Sequence, residues 1–135
     1  MAVLLKKRDN YTELGDIMTI GVIGTRNVTG VSLELFSKYI PDNCTLIISG
    51  GARGVDRIAK EYANENGIPI REILPDYDFF GRKAPIVRNT TIVKSVDKVV
   101  AFWDYRSRGT AHAIRECIRL DVPVKIIAIS DIMGD

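Results

Sequence analysis

The chain has 135 residues, of which 46% are hydrophobic and 27% charged, as in one ordinary globular domain. Its 19 Lys and Arg against 17 Asp and Glu give a formal net charge of +2, too even for the strongly basic surface that usually marks a nucleic-acid-binding domain. No apolar run is long enough for a membrane span or for the core of a signal peptide, so a cytoplasmic protein without a membrane partner is expected.

The strands and helices are predicted from short apolar runs and from helical spacing. Residues 1–16 are polar and weakly patterned, so we expect a loose N-terminal arm before a single domain over 17–135. Five apolar runs predict buried strands, at 17–24, 44–49, 69–74, 98–103 and 124–130. Residues at helical spacing predict helices between them around Val31, Leu35 and Tyr39, over Val55–Ala63, around Ile86, Thr90 and Val93, and around Ile114, Cys117 and Ile118.

The alternation of strands and helices predicts the fold class. Near-continuous apolar strands are typical of a parallel sheet that is covered on both faces. We therefore predict an α/β, Rossmann-like, doubly wound and mainly parallel sheet of about five strands with helices on both faces. Gly67 should close the second helix in a left-handed conformation. Cys44 and Cys117 lie in apolar contexts without metal-ligand spacing, so we expect small core residues and no metal site.

Three loops that follow predicted strands combine glycine, hydroxyl groups and arginine: "GTRNVTG" (24–30), "SGGARGVD" (49–56) and "WDYRSRGT" (103–110). Each precedes a helical pattern, and a helix start offers unpaired N–H groups and a partial positive charge to an anion. Glycine lets the anion approach the backbone, and arginine adds a planar donor group. One such loop is more often a plain connection, but three at one end of a sheet favour an anion site.

These loops, together with "PDYDFFGRKAPIVRN" (75–89), resemble the SLOG superfamily, named after Smf/DprA and the Lonely guy (LOG) enzymes. The resemblance covers roughly residues 18–130, and the nearest branch is identified as the YspA-like or cpYpsA-related one. It implies a Rossmann-like domain that binds a nucleotide-derived molecule through two glycine loops. It also implies a homo-oligomer, a dimer or higher. The ligand-binding residues expected from loops and resemblance together are Gly24, Thr25, Arg26, Ser49, Gly50, Gly51, Arg53, Gly54, Asp56, Arg88, Asn89, Trp103, Asp104, Arg106, Ser107, Arg108, Gly109 and Thr110.

One departure from the LOG pattern concerns catalysis. LOG enzymes use a glutamate three residues after the Gly-Thr pair, and Ala113 stands at that position here. Glu116, Asp104 and His112 are the weak remaining candidates for a catalytic role. His112 is also readily explained as a surface or packing residue. Asp104 could instead orient an arginine, bind a sugar or cap a helix, and Asp56 could stabilise its helix start or hold a ribose hydroxyl.

Aromatic residues near the same loops have different expected roles. Tyr77 and Tyr105 are candidates for walls of the pocket, since a base presents a flat apolar face. For Phe79 and Phe80 packing in the core is the favoured interpretation.

Three functions follow, in order of preference. The first is binding of a mononucleotide, ADP-ribose or an NAD-related molecule, as a sensor, carrier or sequestering module. The second is a nucleotide hydrolase of the LOG phosphoribohydrolase type. The third is DprA-like handling of single-stranded DNA, which the net charge of +2 and the lack of a basic stripe disfavour. Nucleic acid is therefore not expected as a partner, and no cofactor is expected beyond the nucleotide-derived ligand.

Overall fold

The computed structural model describes residues 17–26, 30–50 and 54–129. Within them the chain forms five strands: β1 (Thr19–Gly24), β2 (Leu46–Ser49), β3 (Ile70–Glu72), β4 (Lys98–Trp103) and β5 (Val124–Ala128). The helices are α1 (Leu33–Ser37), α2 (Val55–Asn66), α3 (Tyr77–Phe80), α4 (Ala84–Ser95) and α5 (Arg108–Arg119), with one 3₁₀ turn (Gly81–Lys83) before α4. Every predicted strand is present: β4 has the predicted bounds, and the other four are shorter than predicted by one or two residues at one or both ends. The α/β prediction is confirmed.

All neighbouring strands are parallel, in the order β3-β2-β1-β4-β5. The chain builds the sheet outward from β1 to β3 and then crosses over to place β4 on the other side of β1. Strand order therefore reverses between β1 and β4. In open parallel sheets, ligands bind at such a switch point, beyond the carboxyl ends of the strands.

Helices cover both faces of the sheet. On one face, α1 and α2 pack through Phe36, Val55 and Ala59 against Ile20 and Val22 of β1. On the other, α4 and α5 pack through buried residues that include Ile92, Val93, Ala113 and Cys117. Because both faces of the central strands β1, β2 and β4 are buried, these strands are apolar without alternation, whereas the edge strands β3 and β5 are largely half-buried or exposed.

Local sequence explains several of the helix ends. Gly67 ends α2 with a φ of 66°, the left-handed conformation expected from the sequence. Ser32 begins α1 and Ser107 begins α5, each with its side-chain oxygen accepting a backbone N–H of the first turn. The helix expected around Val31 and Tyr39 is shorter than its apolar spacing indicated, since both residues pack outside α1.

Some apolar residues are more exposed than the sequence pattern predicted. Phe79 is 78% exposed and Phe80 is 39% exposed, so the interpretation of both as core residues is wrong. They belong to α3, a four-residue helix without a buried residue. Ile86 and Ile118 lie on α4 and α5 as predicted, but they are exposed.

The cysteines behave as predicted. Cys44 and Cys117 are both free and buried. Burial raises the pKa of the Cys117 thiol to about 11, so the group stays protonated and apolar.

No helix in the described part of the chain is both long and apolar enough to cross a membrane. The arm expected over residues 1–16 lies outside the described residues.

Candidate functional site

A cleft of about 420 Å³ lies at the switch point, where β1, β2 and β4 end and where α2, α4 and α5 begin. The loops after β1, β2 and β4 open toward this one edge of the sheet. Most of the residues named from the sequence line it: Gly24, Thr25, Arg26, Ser49, Gly50, Asp56, Arg88, Asn89, Asp104, Arg106, Ser107, Gly109 and Thr110. The structure therefore brings three loops, distant in sequence, around one space.

Other residues named from the sequence do not line the cleft. Gly54 precedes α2 with a φ of 78°, so it turns the backbone into the helix. Trp103 ends β4 just before the third loop and is half-buried outside the cleft lining. Arg108 is exposed and does not line the cleft either. Gly51 and Arg53 lie outside the described residues.

The floor and one wall of the cleft are apolar, and sequence analysis missed the residues that form them. They are Val22, Ile23, Val55, Pro85 and Ile92. Nothing distinguishes a Val or Ile at the end of a buried strand from its neighbours in the sequence. Pro85 carried a usable signal, because proline is common in the first turn of a helix and it precedes Arg88 by less than one turn.

Asp104 ties the loops after β1 and β4 together. Its Oδ1 accepts hydrogen bonds from the backbone N–H of Arg106 and of Ser107, both at 2.8 Å, and from the Thr25 hydroxyl at 3.2 Å. Burial alone would raise the pKa of Asp104, but the hydrogen bonds from Ser107, Arg106 and Thr25 outweigh it and lower the pKa below 3.8. Asp104 therefore joins the two loops, a role that the sequence did not indicate, and its binding of a sugar remains a prediction.

Replacing Asp104 with alanine should therefore destabilise the fold by about 1.5 kcal/mol, because three donors lose their acceptor in a partly exposed loop. The pKa of Asp104 is lower in the folded protein than in the unfolded chain. Its stabilising effect is therefore fully present at pH values above the unfolded-state pKa, and it is lost as the pH falls through the folded-state pKa. Urea unfolding at pH 7 and near pH 3 measures both effects. The Asp104→Asn variant, which keeps an acceptor oxygen, should lose less and show little pH dependence. Equal stability of wild type and D104A at pH 7 would contradict the assignment.

Asp56 is also engaged by the protein. It is buried in the first turn of α2, and its Oδ1 accepts a 2.5 Å hydrogen bond from the Ser49 hydroxyl at the end of β2. Its other oxygen lies 3.5 Å from Lys60 Nζ, which is 3.1 Å from Glu72 on β3. A hydrogen bond with Asp56 raises the pKa of Glu72, with burial adding to the shift, while Lys60 opposes it. Asp56 therefore joins α2 to β2 and β3, and its role toward a ribose remains a prediction.

Arg88 is held between two loops by the protein itself. Its Nη1 donates to the Gly50 carbonyl and its Nε donates to Asn89 Oδ1 at 3.0 Å. Asn89 is buried and donates in turn to the Gly109 carbonyl at 3.2 Å. This chain of hydrogen bonds fixes the guanidinium at the cleft, so Asn89 orients Arg88 as well as lining the space.

Positive charge accumulates in the cleft. Desolvation lowers the pKa of Arg88; Tyr77 opposes this, and the neighbouring Arg26 charge lowers the pKa further. Arg26 and Arg88 both line the cleft, and neither forms an ion pair with a carboxylate among the described residues. An anion between the two guanidinium groups would relieve their mutual repulsion.

Backbone N–H groups at the start of α2 add to the positive potential in the cleft. The first turn of α2 has no side-chain cap, and Val55 and Asp56 of that turn line the cleft. The N–H groups of an uncapped first turn are directed along the helix axis toward the cleft and favour an anion.

Of the three catalytic candidates, Asp104 lines the cleft, whereas Glu116 and His112 do not. Glu116 does not line the cleft; the hydrogen bonds from Arg119 and Thr90 lower its pKa to about 2. It is therefore ionised at neutral pH and holds no proton to donate. His112 does not line the cleft either, and its Nδ1 lies 3.5 Å from Asn89 Nδ2. Across the described ranges, no group of three or more His, Cys, Asp or Glu could hold a metal ion.

Comparisons with known proteins agree on one relationship. The family model described as DNA recombination-mediator protein A matches residues 7–76, just over half of the chain. Among solved structures, DNA processing protein A (DprA) from Streptococcus pneumoniae is similar, with a TM-score of 0.69 and 18% sequence identity. The alignment covers 87% of this chain and 53% of that one, so the chain spans about half the length of that protein. No curated protein sequence matches the chain.

The family match corrects one prediction from the sequence. Nucleic acid was not expected as a partner, and that prediction was wrong, because the matching family is one of DNA recombination mediators. A net charge of +2 averages over the whole chain and does not report where single charges lie: Arg26, Arg88 and Arg106 line one cleft, together with Asp56 and Asp104. The match supports the SLOG superfamily through its DprA-like members, and the YspA-like branch is not confirmed.

Proposed function

We propose that this chain, which belongs to the DNA recombination-mediator protein A family, binds single-stranded DNA and receives a backbone phosphate in its cleft. The observation that carries this proposal is the convergence of Arg26 and Arg88 on one space beside the uncapped start of α2. Guanidinium groups and helix N-termini are the two donors that proteins use most for phosphate.

The dimensions of the cleft favour a single strand over a duplex. A volume of about 420 Å³ lies within the range of small-ligand sites and accommodates one nucleotide-sized group. A nucleotide inside a duplex has its base paired and stacked, so the nucleotide can seat its phosphate in the recess with its base beside it only after the base leaves the helix, at a cost of a few kcal/mol. A single strand avoids that cost.

A nucleotide-derived small molecule, such as a mononucleotide or ADP-ribose, is the second candidate, and the cleft volume of about 420 Å³ fits it. The same phosphate donors would serve it, with Asp56 near the sugar. Hydrolysis of that ligand has less support, because Glu116 lies outside the cleft and both Asp56 and Asp104 are engaged by hydrogen bonds.

Fluorescence anisotropy with a labelled thymidine oligonucleotide of about 20 nucleotides, longer than a typical single-strand site, tests the proposal. We expect binding that weakens steeply between low and moderate salt, because each phosphate contact releases counterions. A duplex of equal length should bind at least about tenfold more weakly, since unpairing costs a few kcal/mol.

Competition separates the two candidates. Displacement of the oligonucleotide by micromolar mononucleotide would favour the small molecule as the natural ligand. Equal affinity for duplex and single strand, or no binding to either at low salt, would contradict the proposal.

A further inference from the structure

Tyr105 has a backbone conformation that its side chain disfavours. It lies in the loop between β4 and α5 with a φ of 66°, in the left-handed region that bulky residues rarely occupy. Its neighbours Asp104 and Arg106 both line the cleft. The loop is held in this shape by Asp104, which accepts the N–H groups of Arg106 and Ser107. Strained residues of this kind concentrate at ligand sites, where the surrounding bonds hold them in place.

The ring of Tyr105 is supported from one side and remains open to solvent. Its centroid lies 4.5 Å from the Trp103 ring at an interplanar angle of 36°, yet the residue is 60% exposed. Trp103 is anchored in turn, because its Nε1 donates to the Ser107 carbonyl at 3.0 Å. A large aromatic side chain thus lies beside the cleft, supported by an anchored ring, and most of its surface is left exposed by the residues that the structure describes.

We propose that Tyr105 is a base-stacking residue. A base of the bound strand packs on the exposed face of the Tyr105 ring while its phosphate enters the cleft. This inference rests on the proposed binding of single-stranded DNA. Stacking on an aromatic ring is the usual way in which proteins hold single strands without reading sequence, because every base has a flat face. Arg106, the next residue along the chain, lines the cleft and adds a positive charge beside the stacked nucleotide.

The chain offers an internal reporter for this contact. Trp103 is the single tryptophan of the sequence and touches Tyr105. Titration with the thymidine oligonucleotide should therefore change its fluorescence. A saturating change is expected for the wild type, with a smaller one for Tyr105→Ala at the same occupancy.

A double-mutant cycle between protein and ligand isolates the stacking. Wild type and Y105A are titrated by anisotropy with the thymidine oligonucleotide and with an abasic homopolymer of the same length. We expect Y105A to bind the thymidine strand about tenfold more weakly, a loss within the range measured for base–aromatic stacking. It should bind the abasic strand as well as the wild type does. Tyr105→Phe, which keeps the ring, should match the wild type on both strands.

The outcomes separate this inference from the function on which it rests. Wild-type binding with an equal loss for Y105A on both strands would overturn stacking and leave the proposed function standing. A loss in Y105F as large as that in Y105A would assign the contribution to the hydroxyl instead of the ring, and would also overturn it. Absence of wild-type binding to the oligonucleotide would overturn both proposals.

Two variants without the ring separate the cost of the backbone conformation at position 105 from the contribution of the ring to binding. Tyr105→Gly and Tyr105→Ala both remove the ring, but only glycine adopts a φ of 66° without steric cost. The glycine variant should therefore melt about 3 °C above the alanine variant while binding the oligonucleotide equally weakly. Y105G that retained wild-type affinity would refute a role of the ring.

Discussion

Replacing Arg88 with alanine should weaken binding of the thymidine oligonucleotide about 30-fold, equivalent to about 2 kcal/mol, because a charged hydrogen-bond donor to phosphate is lost. Hydrogen bonds to Gly50 and Asn89 fix the guanidinium at the cleft, so the Arg88 side chain loses little conformational entropy when the phosphate binds. The slope of log affinity against log salt should fall by about 0.7, the value for one phosphate contact on a single strand. Anisotropy titrations at several salt concentrations measure both quantities.

The matched control is Arg57→Ala. Arg57 lies on α2, is exposed and does not line the cleft, so its removal changes net charge equally without touching the site. We expect at most a twofold effect from it. Arg88→Lys should recover only part of the affinity, because an ammonium does not reproduce the planar donor geometry. Equal losses in R88A and R57A would indicate a diffuse electrostatic effect and contradict the assignment of Arg88.

Replacing Gly24 with alanine should destabilise the fold by about 3 kcal/mol, the upper part of the usual range for overpacking. Gly24 ends β1 at the point where α2 begins, and a Cβ there would lie 2.7 Å from Val55 Cβ and closer still to Val55 Cγ2. Val55 is 1% exposed and starts α2, so relief requires movement of the helix start that lines the cleft. A fall of about 10 °C in melting temperature is expected for a chain of this size.

Gly109→Ala is the matched control for that stability measurement. Gly109 lies in the first turn of α5, and a Cβ built on it meets nothing within 4 Å. Because alanine has the higher helix propensity, G109A should be as stable as the wild type or slightly more stable. A melting temperature for G24A within 2 °C of that of G109A would show that β1 and α2 are less closely packed than the structure has them.

Much of the candidate site was predictable because parallel topology is regular. Once the apolar runs at 17–24, 44–49 and 98–103 are recognised as parallel strands, the loops after them must meet at one edge of the sheet. Glycine, arginine and hydroxyl side chains in those loops then indicate an anion site. The roles of these residues in ligand binding and the expected oligomer remain predictions.

The roles of single side chains were not predictable, because their partners lie far away in the sequence. Asp104 meets the Thr25 hydroxyl across 79 positions, and Arg88 meets the Gly50 carbonyl across 38. Sequence analysis left Asp104 open among sugar binding, arginine orientation and capping. The hydrogen bonds formed on folding add a fourth role, that of joining two loops, which no local pattern indicated.

The local sequence pattern was sufficient to predict those elements whose stability depends on neighbouring residues and on the burial of a whole segment. The strands, four of the five helices, the Gly67 cap and the glycine loops all belong to that class. The tertiary structure decided which charges converge, which aromatic rings stay exposed and which carboxylates are already engaged. Charge and exposure depend on distances between segments, and a net charge of +2 carries no information about those distances.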